Sequence, residues 1–168
     1  MGELKSKAKK DWKQITCYDQ SKIARPSLDC NKVVIDLKRI VGKSQSNLNV
    51  YFGKGREQSN GLVSPRPWYE IEVICSKMVT DQYAYPRGDF IAYTDDGYVL
   101  PMKTGGDYNK NLRSKGGLQN FGIWLKGKLE RSGALEKFTP ITEETLREYG
   151  ENKLTLYQLS EGKYYMEF

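Results

Sequence analysis

Histidine does not occur anywhere in this chain of 168 residues. That absence excludes Ser-His and Cys-His nucleophile pairs, imidazole acid–base work and zinc sites of mixed Cys-His type. Cysteine is scarce: Cys17, Cys30 and Cys75 stand too far apart for a CxxC knuckle. Such an odd, scattered set suits reduced thiols in a cytoplasmic protein better than a disulfide framework. No apolar run approaches the ~18 to 20 residues of a membrane span, and no apolar core follows the lysine-rich start to make a secretory signal. Met1-Gly2 with Ser6 fits the loose myristoylation pattern, which specifies so little that it is read as a chance match. Neither a GxGxxG turn nor a Walker loop is present, because Gly53-Lys54-Gly55 lacks the remaining glycine spacing and the following Ser or Thr. No nucleotide or other cofactor is expected.

What is present in excess is positive charge. The formal net charge is +6 and the pI about 9.1, which makes a polyanion a plausible partner while saying nothing about fold. Most of the excess sits in the first 43 residues, and the stretch from Gly117 to Phe168 is close to neutral. Residues 1–40 read as a basic leader or interdomain linker, with Trp12, Ile15 and Tyr18 at helical spacing. Residues 41–168 read as one domain with its own core. Two stretches concentrate cations, amides, hydroxyls and glycines with little to bury. Gly42–Asn60 (GKSQSNLNVYFGKGREQSN) has one apolar patch at Val50–Phe52, and Lys103–Gly117 (KTGGDYNKNLRSKGG) has almost none. Both read as polar loops between rigid elements, a common location for binding residues. Asn and Gln can bridge adenine edges, Arg and Lys can fork onto guanine, and Ser or backbone N–H groups can hold phosphate. The competing reading is a long solvated loop built from turn residues.

The frame around them is mainly β. Lys32–Val41 is β-branched enough for an opening strand, and Trp68–Cys75 alternates as a half-buried strand. Met78–Gly88 reads as a long connection. Asp89–Thr94 and Tyr98–Met102 form a hairpin across Asp95-Asp96-Gly97. In Leu118–Arg131 the residues Leu118, Phe121, Leu125 and Leu129 share one helical face, and Gly133 stands where the helix would stop. Gly122 and Gly127 each cost about 1 kcal/mol of helix propensity, which points to a close backbone approach. A shorter helix is expected from Thr142 as N-cap to Gly150, with Glu143 and Glu144 in its first turn. Lys153–Leu159 and Lys163–Phe168 close the chain as a hairpin. The sum is an α+β chain, mainly β, forming an antiparallel barrel or half-open sheet flanked by two helices.

From about Ser46 to Phe168 the strings PRPWYEIEV, AYTDDGY, KTGGDYNKNLRS, WLKGKLERSGAL, LTLYQL and YYMEF carry a resemblance. In order and kind, they resemble the C-terminal B3-like DNA-recognition domain of phospholipase D-type restriction endonucleases of the NgoFVII and BfiI kind. The resemblance implies a seven-stranded open pseudobarrel that grips double-stranded DNA with two arms in the major groove, one from each side. Gly42–Asn60 would supply the first arm and Lys103–Gly117 the second. Gly55-Arg56 matches the first-arm pattern, and Ser46, Leu48 and Asn49 match it in part. Val50, Tyr51 and Phe52 depart from the Trp-Gly-Gln expected there. Lys103, Gly106, Asp107, Lys110, Asn111, Arg113 and Ser114 all stand where the family has them. Full-length relatives place a phosphodiesterase domain with an HxKxxxxD motif before this one. A chain without histidine is therefore expected to be the recognition module without its nuclease partner, with no catalytic centre of its own.

Roles follow from side-chain chemistry. Arg56 and Arg113 are the first choices for guanine contacts, worth about 1 to 3 kcal/mol of discrimination each. Asp107 either accepts from a cytosine amine or closes an Asx-type turn. Asn49, Asn111 and Gln45 either read adenine or brace the arms. Lys43, Lys54, Lys103, Lys110 and Lys115 are assigned to phosphate, assisted by Ser44 and Ser114, with Tyr108 against sugar or backbone. Ser46, Asn47, Gln58 and Asn109 complete the candidate surface. Two rival classes are a metal-dependent PD-(D/E)xK nuclease using Asp29, Asp36 and Lys38, and a single-strand or RNA-binding barrel using the twelve tyrosines as stacking platforms.

Overall fold

The computed structural model describes residues 15–27, 29–41, 47–53 and 55–168, with Arg56 given by its backbone alone. Met1, Gly2, Ser6 and Trp12 lie outside the described residues, as do the candidate contacts Lys43, Ser44, Gln45, Ser46 and Lys54. In chain order the strands are β1 (Thr16–Cys17), β2 (Lys32–Asp36), β3 (Arg56–Glu57), β4 (Val63–Ser64) and β5 (Val73–Ile74). They continue with β6 (Asp89–Thr94), β7 (Tyr98–Gly105), β8 (Asn111–Ser114), β9 (Lys153–Ser160) and β10 (Lys163–Glu167). The helices are α1 (Lys38–Val41), α2 (Lys77–Thr80), α3 (Gln119–Arg131) and α4 (Glu143–Tyr149).

Seven strands form one curled path in the order β2-β9-β10-β6-β7-β8-β5, and β1 joins the free side of β7 through Thr16↔Val99. Neighbours on the path pair antiparallel except β10 with β6, which run parallel. The path curls until α2, which follows the edge strand β5, packs against the other edge strand, β2. The result is an open pseudobarrel with helices around it, as expected, but its sheet is mixed where the sequence suggested an antiparallel one, because β10 runs beside β6 in parallel.

The period of two explains the curl's inside. Along β7, Tyr98, Leu100, Met102 and Thr104 are buried while the residues between them are half-buried. Phe90 and Ala92 do the same in β6. Onto this face α3 lays Phe121, Ile123, Trp124, Leu125 and Leu129, all almost fully buried. Each such side chain contributes about 1.5 to 3 kcal/mol. The Asp95–Gly97 turn is tied to α3, since Trp124 Nε1 donates to Asp96 Oδ1 at 2.8 Å and Lys128 Nζ to Asp95 Oδ1 at 2.6 Å. Gly122 is required because a Cβ there would overlap the Tyr69 carbonyl oxygen, so the expected close approach is real. Helix α4 begins at the expected Thr142 cap, with a full capping box, and ends at left-handed Gly150.

Four expectations are corrected. The opening strand stops at Asp36, whose carboxylate accepts the Lys38 N–H at 3.0 Å and starts α1 in place of further strand. In Trp68–Cys75 only Val73 and Ile74 join a ladder, and Trp68 and Glu70 are buried together with Ile71, Val73 and Cys75. The connection after Met78 begins inside α2. Finally, Lys103–Gly117 is no loop: β7 runs on to Gly105 and β8 returns from Asn111, so this segment is the end of a hairpin.

Candidate nucleic-acid interface

The second arm is built by register. Across β7 and β8, Lys103 stands opposite Arg113 and Gly105 opposite Asn111, while across β6 and β7, Asp89 stands opposite Lys103. Thr104, Leu112 and Ser114 point the other way and are buried, so Lys103, Arg113 and Asn111 share the outer face. Like charges directly opposite are destabilising in a ladder, so the Lys103–Arg113 pair does nothing for the fold. Asp89 offsets it in part: Lys115 Nζ is 2.8 Å from its carboxylate. That hydrogen bond and the nearby Lys103 hold the Asp89 carboxyl below its usual range. Arg113 has no ion pair among the described residues.

At the tip the chain turns through Gly106 (φ 75°), Asp107, Tyr108 (φ 44°) and Asn109 (φ 57°). Left-handed conformation at two successive non-glycine residues is unusual and has to be imposed from outside. Tyr85 imposes it by donating its hydroxyl to the Asn109 carbonyl at 2.6 Å, and the Cys75 N–H holds the Lys110 carbonyl at 2.8 Å. Asp107 and Tyr108 are exposed there. Asn109 lies near Thr104, whose hydroxyl is 3.4 Å from its side-chain oxygen. Asn111 sits against Gly106, and its Oδ1 is buried with no partner among the described residues. Ser114 is not available to a ligand: it is buried, donates to the Gly117 carbonyl at 2.6 Å and accepts the Phe121 N–H at 3.2 Å. Its assignment to phosphate is therefore replaced by a structural one, joining the arm to the start of α3.

The first arm has a different support. A 3-10 helix, Asn47–Phe52, buries Leu48 and places Tyr51 and Phe52 edge-on to Trp68, with ring centroids 5.4 and 6.3 Å apart. Phe138 closes the cluster 5.5 Å from Trp68. The departure of Val50–Phe52 from the family's pattern thus provides an aromatic wedge at the root of the arm. Beneath it the fully buried Lys126 donates to the Trp68 carbonyl at 2.6 Å, with its Nζ 3.7 Å from the Trp68 ring centre. Burial lowers this lysine's pKa to about 7. Asn49 also acts inward, donating to the Ile141 carbonyl at 2.9 Å and accepting the Ile141 N–H at 2.7 Å. Of the two alternatives open for Asn49, bracing is the one its bonds support, and both ends of its amide are occupied. Beyond the root, β3 and β4 approach so closely that a Cβ on Gly55 would meet the Ser64 carbonyl oxygen at 2.5 Å. Arg56 lies in β3 opposite Ser64. Gln58 is exposed at the turn and its side chain bonds Ser64.

Residues 71–75 join the two supports. The Glu72 N–H donates to the Asn47 carbonyl at 3.0 Å, while Val73 and Ile74 pair with Leu112 and Asn111. Both arms therefore leave the barrel from the same edge. Three exposed features there were not singled out from sequence: Asp89, Lys77 beside the second arm, and the aliphatic pair Leu62 and Val63, 65% and 61% exposed on the first. The rival nuclease residues are engaged elsewhere. Asp36 caps α1 and accepts from Asn152 Nδ2 at 2.6 Å, and among the described residues no group of three potential metal-ligating side chains occurs.

A half-open barrel whose exposed edge carries two polar arms, one with adjacent cations that form no ion pair among the described residues, defines a DNA-binding module of the B3-like class. The family model described as the NgoFVII C-terminal B3-like DNA-binding domain matches residues 26–160, and the chain belongs to that family. Comparison with curated proteins gave no match. No helix among the described residues is long and apolar enough to cross a membrane.

Proposed function

We propose that this chain recognises a specific sequence in double-stranded DNA by placing its two arms in the major groove from opposite sides. The observation that carries the reading is the Lys103–Arg113 pair, two cations side by side on an outer sheet face where folding gains nothing from them. Arg113 is the base reader of the second arm, forking onto guanine, and Arg56 its counterpart on the first. Asp107, exposed at the tip, accepts from a cytosine amine, and Asn111 reads the neighbouring base. Lys103, Lys110 and Lys115 meet phosphate, as do Lys43, Lys54 and Ser44. Asn47, Gln45, Ser46, Gln58 and Asn109 are assigned to the same binding set.

The chain acts as the recognition part of a restriction system in the bacterial cytoplasm and performs no catalysis itself. A phospholipase D-type nuclease domain is its functional partner, the chain before β1 is the link towards that domain, and β1 and β2 belong with residues 41–168 to the DNA-binding unit. Selection of bound duplexes from a random pool tests the reading and should return one short consensus. Arg113→Ala should then relax discrimination at one base pair, by about 1 to 3 kcal/mol, whereas Lys110→Ala should weaken all duplexes alike. Equal losses on selected and random duplex for both variants would overturn the base-reading assignment. Ready displacement of a bound duplex by single strands or RNA would overturn the two-arm reading.

A further inference from the structure

Helix α2 is a single turn, yet it stands where the second arm needs support. It packs against the 107–109 turn on one side and β2 on the other. Its first residue, Lys77, places Nζ 5.9 Å from the centre of the Tyr108 ring, and Lys110 places its own Nζ 5.9 Å from the same ring. Tyr108 is 46% exposed and left-handed, a conformation that is unfavourable for a tyrosine. Tyr85 and Cys75 hold the backbone in place, but the Tyr108 ring is not part of the core, so its own burial does not offset that cost. Two ammonium groups and a phenol ring thus converge on one exposed spot, brought together from segments more than thirty residues apart in the chain. The counter-charge present is Asp81, 3.2 Å from Lys77 Nζ, with both partners exposed. An exposed i,i+4 pair of this kind is weak and screened by solvent, so a stronger anion can replace the carboxylate.

We infer that Lys77, Tyr108 and Lys110 form a clamp for one backbone phosphodiester beside the second arm, with the Tyr108 ring against the deoxyribose and Asp81 as the anion displaced. This rests on the duplex-binding reading above and extends it to α2, outside both arms. Lys77 does not read sequence. It sets how far the second arm enters the groove, by fixing the strand that passes the tip. Asp81 weakens the attraction of Lys77 for random duplex, because its release must precede each contact.

The test is the salt dependence of binding to a random-sequence duplex and to a duplex selected from the pool. Each phosphate contact contributes about 0.9 to the slope of log affinity against log salt. Lys77→Ala should lower that slope by about 1 on both duplexes and weaken both several-fold. Asp81→Asn should strengthen both and leave the slope unchanged. Lys22→Ala, in the turn that packs on Asp95 at the opposite end of β7, should alter neither. An unchanged slope in Lys77→Ala, with the wild-type chain still selecting a consensus, overturns the clamp alone. A lowered slope without any consensus keeps the clamp and overturns sequence-specific recognition, and a wild-type chain that binds no duplex overturns both.

Discussion

The second arm takes its geometry from the sheet, since Lys103 and Arg113 are rungs of the β7–β8 ladder, whereas the first hangs from an aromatic wedge and a pair of two-residue strands. Their asparagines show the same division. Asn49, on the first arm, has both ends of its amide occupied by Ile141, while Asn111, on the second, has a buried side-chain oxygen with no partner among the described residues. A ladder fixes direction and spacing with backbone bonds and leaves side chains free to act. An arm without one must commit side chains to holding itself in place. Fewer residues of the first arm are therefore available to DNA than its composition suggests.

Removing the wedge should break this contrast most strongly. Trp68→Ala deletes the ring on which Tyr51, Phe52, Phe138 and Lys126 all pack, and should cost about 3 to 5 kcal/mol in chemical denaturation. Affinity for the selected duplex should fall while the preference carried by Arg113 survives. Loss of discrimination at the Arg113 base pair as well would show that the arms are not independently held.

The wedge should also respond to pH where the second arm does not. Lys126 has a pKa of about 7 in the folded protein, against 10.5 for an ordinary lysine. Between those values the unfolded chain binds more protons than the folded one, so stability rises with pH, and below about pH 7 the full penalty remains. Among the described residues, the carboxylate that opposes the shift is Glu130, one turn further along α3. Above pH 9 the trend is opposed by Cys75, whose thiol is pushed up to about 11 by burial and so favours the unfolded chain as it ionises. From pH 7 to 8.5 stability should therefore increase by about 2 kcal/mol, and Lys126→Met should abolish the increase. A wild-type denaturation midpoint that stays flat across this range would show that Lys126 keeps its proton beneath Trp68 and would overturn the lowered pKa.

Much of the frame could be read from sequence because each element announced itself locally. Asp95-Asp96-Gly97 between alternating segments, and Thr142 followed by two glutamates, are signals complete within a few residues. Trp68–Cys75 misled because alternation reports which side a residue faces and not whether a ladder partner exists. Its pairing partner, β8, is only four residues long, so two residues pair, while the N–H groups of Ile71, Glu72 and Cys75 donate to Leu118, Asn47 and Lys110. The second arm reads as a loop in the sequence because its inward residues include Thr104 and Ser114, which are buried through hydrogen bonds and give no apolar signal. Within the site, Arg113 and Lys103 were legible as cations, but their adjacency belongs to register. Asn49 and Ile141 lie 92 residues apart in sequence, and Asp89 and Lys77 reach the interface only through strand order and helix packing. None of these can be inferred from spacing.

The smallest effect expected is also the one whose sign is most informative. Tyr108 holds left-handed backbone at 44° with an exposed ring, an arrangement that asparagine adopts at much lower cost. If the tyrosine is retained for binding, Tyr108→Asn should stabilise the protein by up to about 1 kcal/mol while weakening every duplex, because strain at a site of this kind is maintained for its ligand. A residue that merely completed the turn would lose stability or change nothing. The first arm offers a control in Phe138, which is also left-handed, at 71°, but packs its ring against Trp68 at 5.5 Å. There Phe138→Asn should destabilise, since the packing lost outweighs the strain relieved. Opposite signs at these two positions, measured by thermal melting, would separate strain kept for DNA from strain kept for the wedge.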